Sequence, residues 1–140
     1  MLIGIGADII EVERICQAFS RWGERFLRRV YTPAERAYCS GKANNSCCWA
    51  GRFAAKEAVL KALGIGRTGA GFSEVEVLND PAGQPLVVLR GRAARAAKRA
   101  GVARVLLSIA HGVTHAVAFA VAEGEEGFFA PGYGTGDAGD

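Results

Sequence analysis

Hydrophobic and small residues dominate the first stretch of the chain, LIGIGADI, and the pattern predicts a buried strand that ends near Asp8. From Ile10 to Phe19 the spacing becomes helical, with Val12, Ile15, Cys16 and Phe19 on one face and Glu11, Arg14 and Gln17 largely off it. An arginine-rich segment, RWGERFLRRVY, follows. Thr32-Pro33-Ala34-Glu35 is a capping box with proline at the first helical position, so another helix starts there. GKANNS reads as a loop, and Ser46 is placed to cap a long helix that runs to Leu63. Gly64 supplies its stop.

After the glycine-rich loop GIGRTGAG the character changes. SEVEVLN and PLVVLR predict two strands joined by the turn-forming DPAGQ. GRAARAAKRAG predicts a short basic helix closed by Gly101, and VARVLLSIAH and THAVAFAVA predict two further strands joined by a tight turn. Helices and strands are mixed and neighbouring strands are expected to pair antiparallel, which makes the class α+β: a mostly antiparallel sheet packed with one long helix and several shorter ones.

Within the long helix, RFAAKEAVLKALG, the apolar positions Trp49, Phe53, Leu60 and Leu63 fall within roughly 80° of one another on a helical wheel. Ala50, Ala54, Ala58 and Ala62 form the adjoining flank, where small side chains admit close approach by another element. Glu57 sits at the seam between the two.

Composition adds limits. The chain has 140 residues, 50% of them hydrophobic and 22% charged, which fits one folded domain. No apolar run approaches the roughly 20 residues that a bilayer span needs, and the N-terminus lacks a secretory pattern, so a cytoplasmic protein without a membrane partner is expected. The four cysteines, Cys16, Cys39, Cys47 and Cys48, fit no metal or redox spacing and are expected to be free thiols. Net charge is +3, but the last 17 residues carry four acids and no base. Residues 1–123, the expected domain, hold 17 basic and 10 acidic side chains, a balance of +7 that suits an acidic partner. Residues 124–140 are expected to be a disordered, glycine-rich acidic tail.

Two carboxylates invite chemistry. Glu57 is either an i,i+4 partner of Lys61, worth about 0.2–0.5 kcal/mol, or a ligand. Asp8, at the end of an apolar strand, either caps the following helix or binds a cation. Together they could share Mg²⁺, which takes one or two protein carboxylates and completes its shell with water and substrate phosphates. Two histidines and scattered thiols suit Zn²⁺ poorly. Lys56 and Lys61 then stand near a phosphate-bearing ligand, with Lys61, on the side of Glu57, the better placed. His111, at a strand end, is either a structural hydrogen-bonder or a phosphate or proton ligand.

The order of motifs is more specific than any one of them. GIGADIIEVERI, F-x-x-R-x-Y-T-x-x-E from Phe26 to Glu35, RFAAKEAVLKALG, Gly83-Gln84-Pro85 and LLSIAH follow one another over residues 1–122. This arrangement resembles the holo-[acyl-carrier-protein] synthases, the small-subunit 4′-phosphopantetheinyl transferases. The resemblance implies their fold and a Mg²⁺-dependent transfer of the phosphopantetheine arm of coenzyme A, the co-substrate, to a serine of acyl carrier protein, with release of 3′,5′-ADP. It further implies Asp8 and Glu57 as metal ligands and Glu57, Lys61 and His111 as the catalytic group. Arg52, Lys61, Gly64, Gly83, Pro85, Ser108 and His111 become coenzyme A contacts, and Arg14, Arg21, Arg25 and Arg28 a basic face for the acidic carrier. A homotrimer with sites between subunits is also implied.

Two other readings use the same features: a Mg²⁺-dependent phosphodiester hydrolase, and a basic nucleic-acid-binding module. The basic segments lack the interleaved aromatics and fold signature that the second requires.

Overall fold

The computed structural model describes residues 1–43 and 45–125. In order, the elements are β1 (Leu2–Glu11), α1 (Val12–Trp22), α2 (Glu24–Val30), α3 (Pro33–Ser40), α4 (Asn45–Ala62), α5 (Gly66–Gly69), a 3₁₀ turn (Phe72–Glu74), β2 (Val75–Asn79), β3 (Pro85–Leu89), α6 (Gly91–Ala100), β4 (Val102–His111) and β5 (His115–Gly124). The α+β class holds. Every strand pair is antiparallel: one sheet runs β1-β5-β4, and β2-β3 form a separate hairpin.

β1 corrects the sequence reading. It continues past Asp8 to Glu11, so Ile10 is a strand residue and α1 starts at Val12. Asp8 therefore caps nothing: the residue before α1 is Glu11, and no side chain caps that helix. Nor is the strand buried on both sides. Gly4, Gly6, Asp8 and Ile10 point inward, while Ile5 and Ile9 are 73% and 66% exposed. A single charge interrupts an apolar run in the sequence without interrupting the ladder, because its backbone still pairs with Ala118.

α4 is the axis of the molecule. From Trp49 to Leu60 it is buried around nearly its whole circumference, rather than along one stripe, because the sheet lies on one side and α1 to α3 and the hairpin on others. Ser46 lies inside the first turn instead of capping it, and its hydroxyl accepts a bond from the Cys16 thiol. At the other end Gly64, at φ +75°, turns the chain, and the Ile65 N–H donates back to the Leu60 carbonyl.

The alanine flank has its predicted use. A Cβ added to Gly4 would lie 2.1 Å from the Ala62 carbonyl oxygen, and one on Gly6 would lie 2.0 Å from that of Ala58. Two strand residues advance about 6.6 Å and four helix residues about 6 Å, so β1 and α4 stay in step along this contact. Inward-facing Ala116, Ala118, Ala120 and Ala122 of β5 continue the small-residue surface beneath the helix.

α3 begins with the predicted capping box: the Thr32 hydroxyl accepts from the Glu35 N–H and the Glu35 carboxylate from the Thr32 N–H. The free-thiol expectation fails for one pair. Cys39, late in α3, and Cys48, early in α4, form a disulfide with Cα atoms 5.6 Å apart, while Cys16 and Cys47 keep their thiols out of any disulfide among the described residues. The short α3–α4 loop sets the two helix ends side by side, which no spacing motif announces. The basic helix α6 ends at Gly101 as expected. Of the anticipated tail, Gly124 completes β5, and residues 126–140 lie outside the described residues. No described helix is long and apolar enough to cross a membrane.

The glycine contact has a direct test. Gly6→Ala is expected to lower the unfolding free energy by about 3 kcal/mol or more, since strand and helix backbones must part. Gly112→Ala, where an added Cβ meets nothing within 4 Å, should stay within about 0.5 kcal/mol in the same urea titration.

Candidate functional site

Two groups of polar residues flank α4. The first follows from the β1–α4 contact. Continuing the step from Gly4 over Ala62 to Gly6 over Ala58 brings Asp8 beside the turn of α4 from Ala54 to Glu57. The Asp8 side chain is 19% exposed, and its Oδ1 lies 3.3 Å from the Lys61 ammonium, which also donates to the Ala7 carbonyl at 3.0 Å. Glu57 is 9% exposed and one turn before Lys61. Among the described residues no group of three or more His, Cys, Asp or Glu side chains converges to hold a metal ion. Asp8 and Glu57 could offer a cation two hard oxygen donors, the number Mg²⁺ accepts when phosphates and water fill its remaining positions.

The second group lines a cavity of about 430 Å³ that gathers Arg52, Gly83, Pro85 and His111. Asn79, at the end of β2, accepts from the Arg52 guanidinium and donates to the Gly83 carbonyl at 3.0 Å. Gly83 turns the β2–β3 hairpin at φ +92°. The Tyr38 ring centre has Arg52 Cζ at 4.4 Å and Lys42 Nζ at 4.5 Å. Burial lowers the Arg52 pKa, opposed by Tyr38 and Glu35, and its Nε is buried with no partner among the described residues. His111 shares the inward sheet face with Asp8, in the next row and on the far side of β5. The cavity offers an anion cationic groups and a desolvated donor.

Other expected site residues lie elsewhere. Ser108 points out of the opposite sheet face, paired across from Phe119. Gly64 is exposed at the end of α4. Arg14, Arg21, Arg25 and Arg28 are all exposed on α1 and α2, with Arg28 3.6 Å from Glu24 and Arg21 5.2 Å from the Trp22 ring centre.

Lys56 does not stand beside a ligand. Its ammonium is fully buried, 2.7 Å from Glu35 Oε1, and donates to the carbonyls of Phe72 and Val75 at 3.0 and 2.6 Å. Burial lowers its pKa, with Glu35 opposing. Burial, then the Glu35 charge, raises the pKa of the neighbouring Tyr31 hydroxyl. Nearby, Glu76 accepts from the Thr32 hydroxyl at 2.5 Å and from Arg90 at 2.7 Å. Burial pushes the Glu76 pKa up, but these two bonds and the charges of Arg90 and Lys56 outweigh it, so the net shift is downward.

The sequence reading missed Tyr38, Lys42 and Asn79 in the cavity wall, and the role of Glu35 beneath it. The capping box announced one oxygen of Glu35. Nothing in the spacing announced that the carboxylate would also meet Lys56 on a different helix.

Residues 4–120 match the 4′-phosphopantetheinyl transferase superfamily. The chain is 50% identical to a holo-[acyl-carrier-protein] synthase of Halothermothrix orenii, over 91% of the chain and 100% of the relative. Its fold is similar to that of the Neisseria meningitidis holo-[acyl-carrier-protein] synthase, with a TM-score of 0.81, 33% identity, and 88% and 99% of the two chains covered. A Bacillus anthracis holo-(acyl-carrier-protein) synthase in complex with coenzyme A (3′,5′-ADP) matches with a TM-score of 0.73 and 36% identity, over 89% and 99% of the chains.

The lowered pKa of Glu76 sets a pH dependence. A carboxylate held below its ordinary value in the folded state stabilises the fold above that ordinary value, and the contribution is lost as pH falls through the folded pKa. The stability difference between the wild-type protein and Glu76→Gln is therefore expected to shrink as pH is lowered from about 7 to about 3, measured by urea midpoints. A difference independent of pH would show that the Glu76 charge contributes nothing.

Proposed function

The chain belongs to the 4′-phosphopantetheinyl transferase superfamily, and from that membership we propose that it transfers the 4′-phosphopantetheine arm of coenzyme A to a serine of acyl carrier protein in the cytoplasm, converting the apo to the holo form. The observation that carries the reading is the division of groups about α4. An Asp8, Glu57 and Lys61 group suits a metal-bound pyrophosphate, and the Arg52, Lys42 and His111 cavity suits the phosphorylated nucleoside end of the same molecule.

Asp8 and Glu57 would hold Mg²⁺, which when bound supplies neutralising charge on the pyrophosphate. Lys61 adds a second positive charge there. The serine oxygen forms a bond to the β-phosphorus, the bond to the bridging oxygen breaks, and 3′,5′-ADP leaves with the electron pair. Glu57 or His111 takes part in moving the serine proton. Arg14, Arg21, Arg25 and Arg28 offer the acidic carrier an exposed basic face, which suits a partner that must leave after each turnover.

Assembly into a homotrimer completes the reading. The outward sheet face exposes Ile5 at 73%, Ile9 at 66%, Phe119 at 55% and Leu106 at 51%, an apolar surface that three copies would cover. Ser108 lies on that face, so it could serve the site of a neighbouring copy.

Incubation of apo carrier protein with coenzyme A and Mg²⁺ should add one phosphopantetheinyl group to its mass; hydrolysis of coenzyme A with an unmodified carrier would favour a phosphodiester hydrolase. Glu57→Gln should lose about a hundredfold or more of the Mg²⁺-dependent rate with its melting temperature preserved. Light scattering on the eluting protein should give three copies, and Phe119→Glu should give one. A monomeric wild-type protein would sink the trimer.

A further inference from the structure

Arg52 and Lys56 stand four residues apart, on one side of α4. Both reach towards the same segment, the one that carries β2 and its turn. The Lys56 ammonium donates to the carbonyls of Phe72 and Val75, just before and at the start of β2. Its partner Glu35 uses the other oxygen, Oε2, to accept from the Val77 N–H at 2.6 Å, inside β2. Two residues further on, Asn79 accepts from Arg52 and donates to the Gly83 carbonyl. The hairpin is thus tied to α4 at two levels. The lower level is fully buried, and the upper one forms the cavity wall.

Neither Glu35 nor Lys56 lines the cavity. Both side chains have no exposed surface, so no ligand in that cavity meets them. They nonetheless fix the element on which Asn79, Gly83 and Pro85 ride. A buried pair whose hydrogen bonds all run to backbone groups or to each other, with the ammonium also over the Tyr31 ring, has little room to shift, which is the property a positioning element needs.

We propose that Glu35 and Lys56 are a positioning pair for the coenzyme A cavity, holding the β2–β3 hairpin at the distance from α4 that lets Arg52 and the Asn79–Pro85 wall close on one ligand. This rests on the reading of the cavity given above. Asp8, Glu57 and Lys61 lie along the other flank of α4, against β1. The pair therefore governs binding of coenzyme A rather than the chemical step.

Lys56→Met alone strands a buried carboxylate, so the double variant Glu35→Gln/Lys56→Met, which retains neither charge, is made beside it. Asn79→Ala breaks the upper tie only. In the double variant the KM for coenzyme A should rise about tenfold while kcat stays within about twofold. Asn79→Ala should raise KM as well, and adding it to the double variant should raise KM by less than the two separate effects combined. A merely structural role would lower the melting temperature and the active fraction and leave KM unchanged.

Backbone amide exchange supplies a readout that needs neither ligand nor turnover. Exchange should speed up across residues 75–85 in the double variant and stay unchanged across residues 3–10. If the wild-type protein transfers nothing to the carrier, the functional reading fails, and the positioning pair is then decided by exchange alone. An unchanged KM in an active enzyme, or exchange that rises evenly along the chain, would overturn the assignment.

Discussion

Backbone contact between β1 and α4 is the constraint on which the rest of the molecule depends. Gly4 and Gly6 have no Cβ to hold the strand away from the carbonyls of Ala62 and Ala58, so the first strand of the sheet lies directly on the central helix. At that separation the rise of a strand and the rise of a helix match over two and four residues. Asp8 inherits the register two residues later and arrives where α4 carries Glu57 and Lys61. One methyl group at Gly6 would disturb the alignment of the carboxylates as much as the packing.

α4 shows how polar residues survive inside a helix that is buried almost all round. Each has a partner of matched chemistry: Lys56 has Glu35 and two carbonyls, and Arg52 has Asn79 and the Tyr38 ring. An unpaired charge at these depths would carry a heavy desolvation cost. The partners come from α3, the 3₁₀ turn and β2, so satisfying the helix's polar groups also joins the hairpin to the sheet. Polar satisfaction here determines tertiary arrangement, beyond what the apolar core alone dictates.

Much of this was legible in the residues themselves. The Thr32–Glu35 capping box, the Gly64 stop and the VARVLLSIAH strand each rest on local chemistry, and each formed as read. The alanine flank announced a close neighbour, though it could not say which element. What stayed hidden depends on distance along the chain. Asp8 looked like the end of a strand because charge ends an apolar run, whereas the ladder is held by backbone groups that ignore side-chain polarity. Lys56 reads as a lysine near a phosphate-bearing ligand because helical spacing is blind to a carboxylate waiting on another helix. The Cys39–Cys48 pair required knowing that two helix ends meet. Of the cavity-lining residues, Arg52, Gly83, Pro85 and His111 fall inside contiguous sequence motifs, whereas Tyr38, Lys42 and Asn79 fall outside them.

Lys61 carries one more implication. β1 is an outer strand of its sheet, and such strands offer unpaired backbone groups on which another chain can add. The Lys61 ammonium takes one of these groups, the Ala7 carbonyl, and sets a charge across the approach. The side chain proposed to meet the pyrophosphate thus also discourages edge-to-edge aggregation, so a substitution at Lys61 would alter edge protection together with any charge it lends the site.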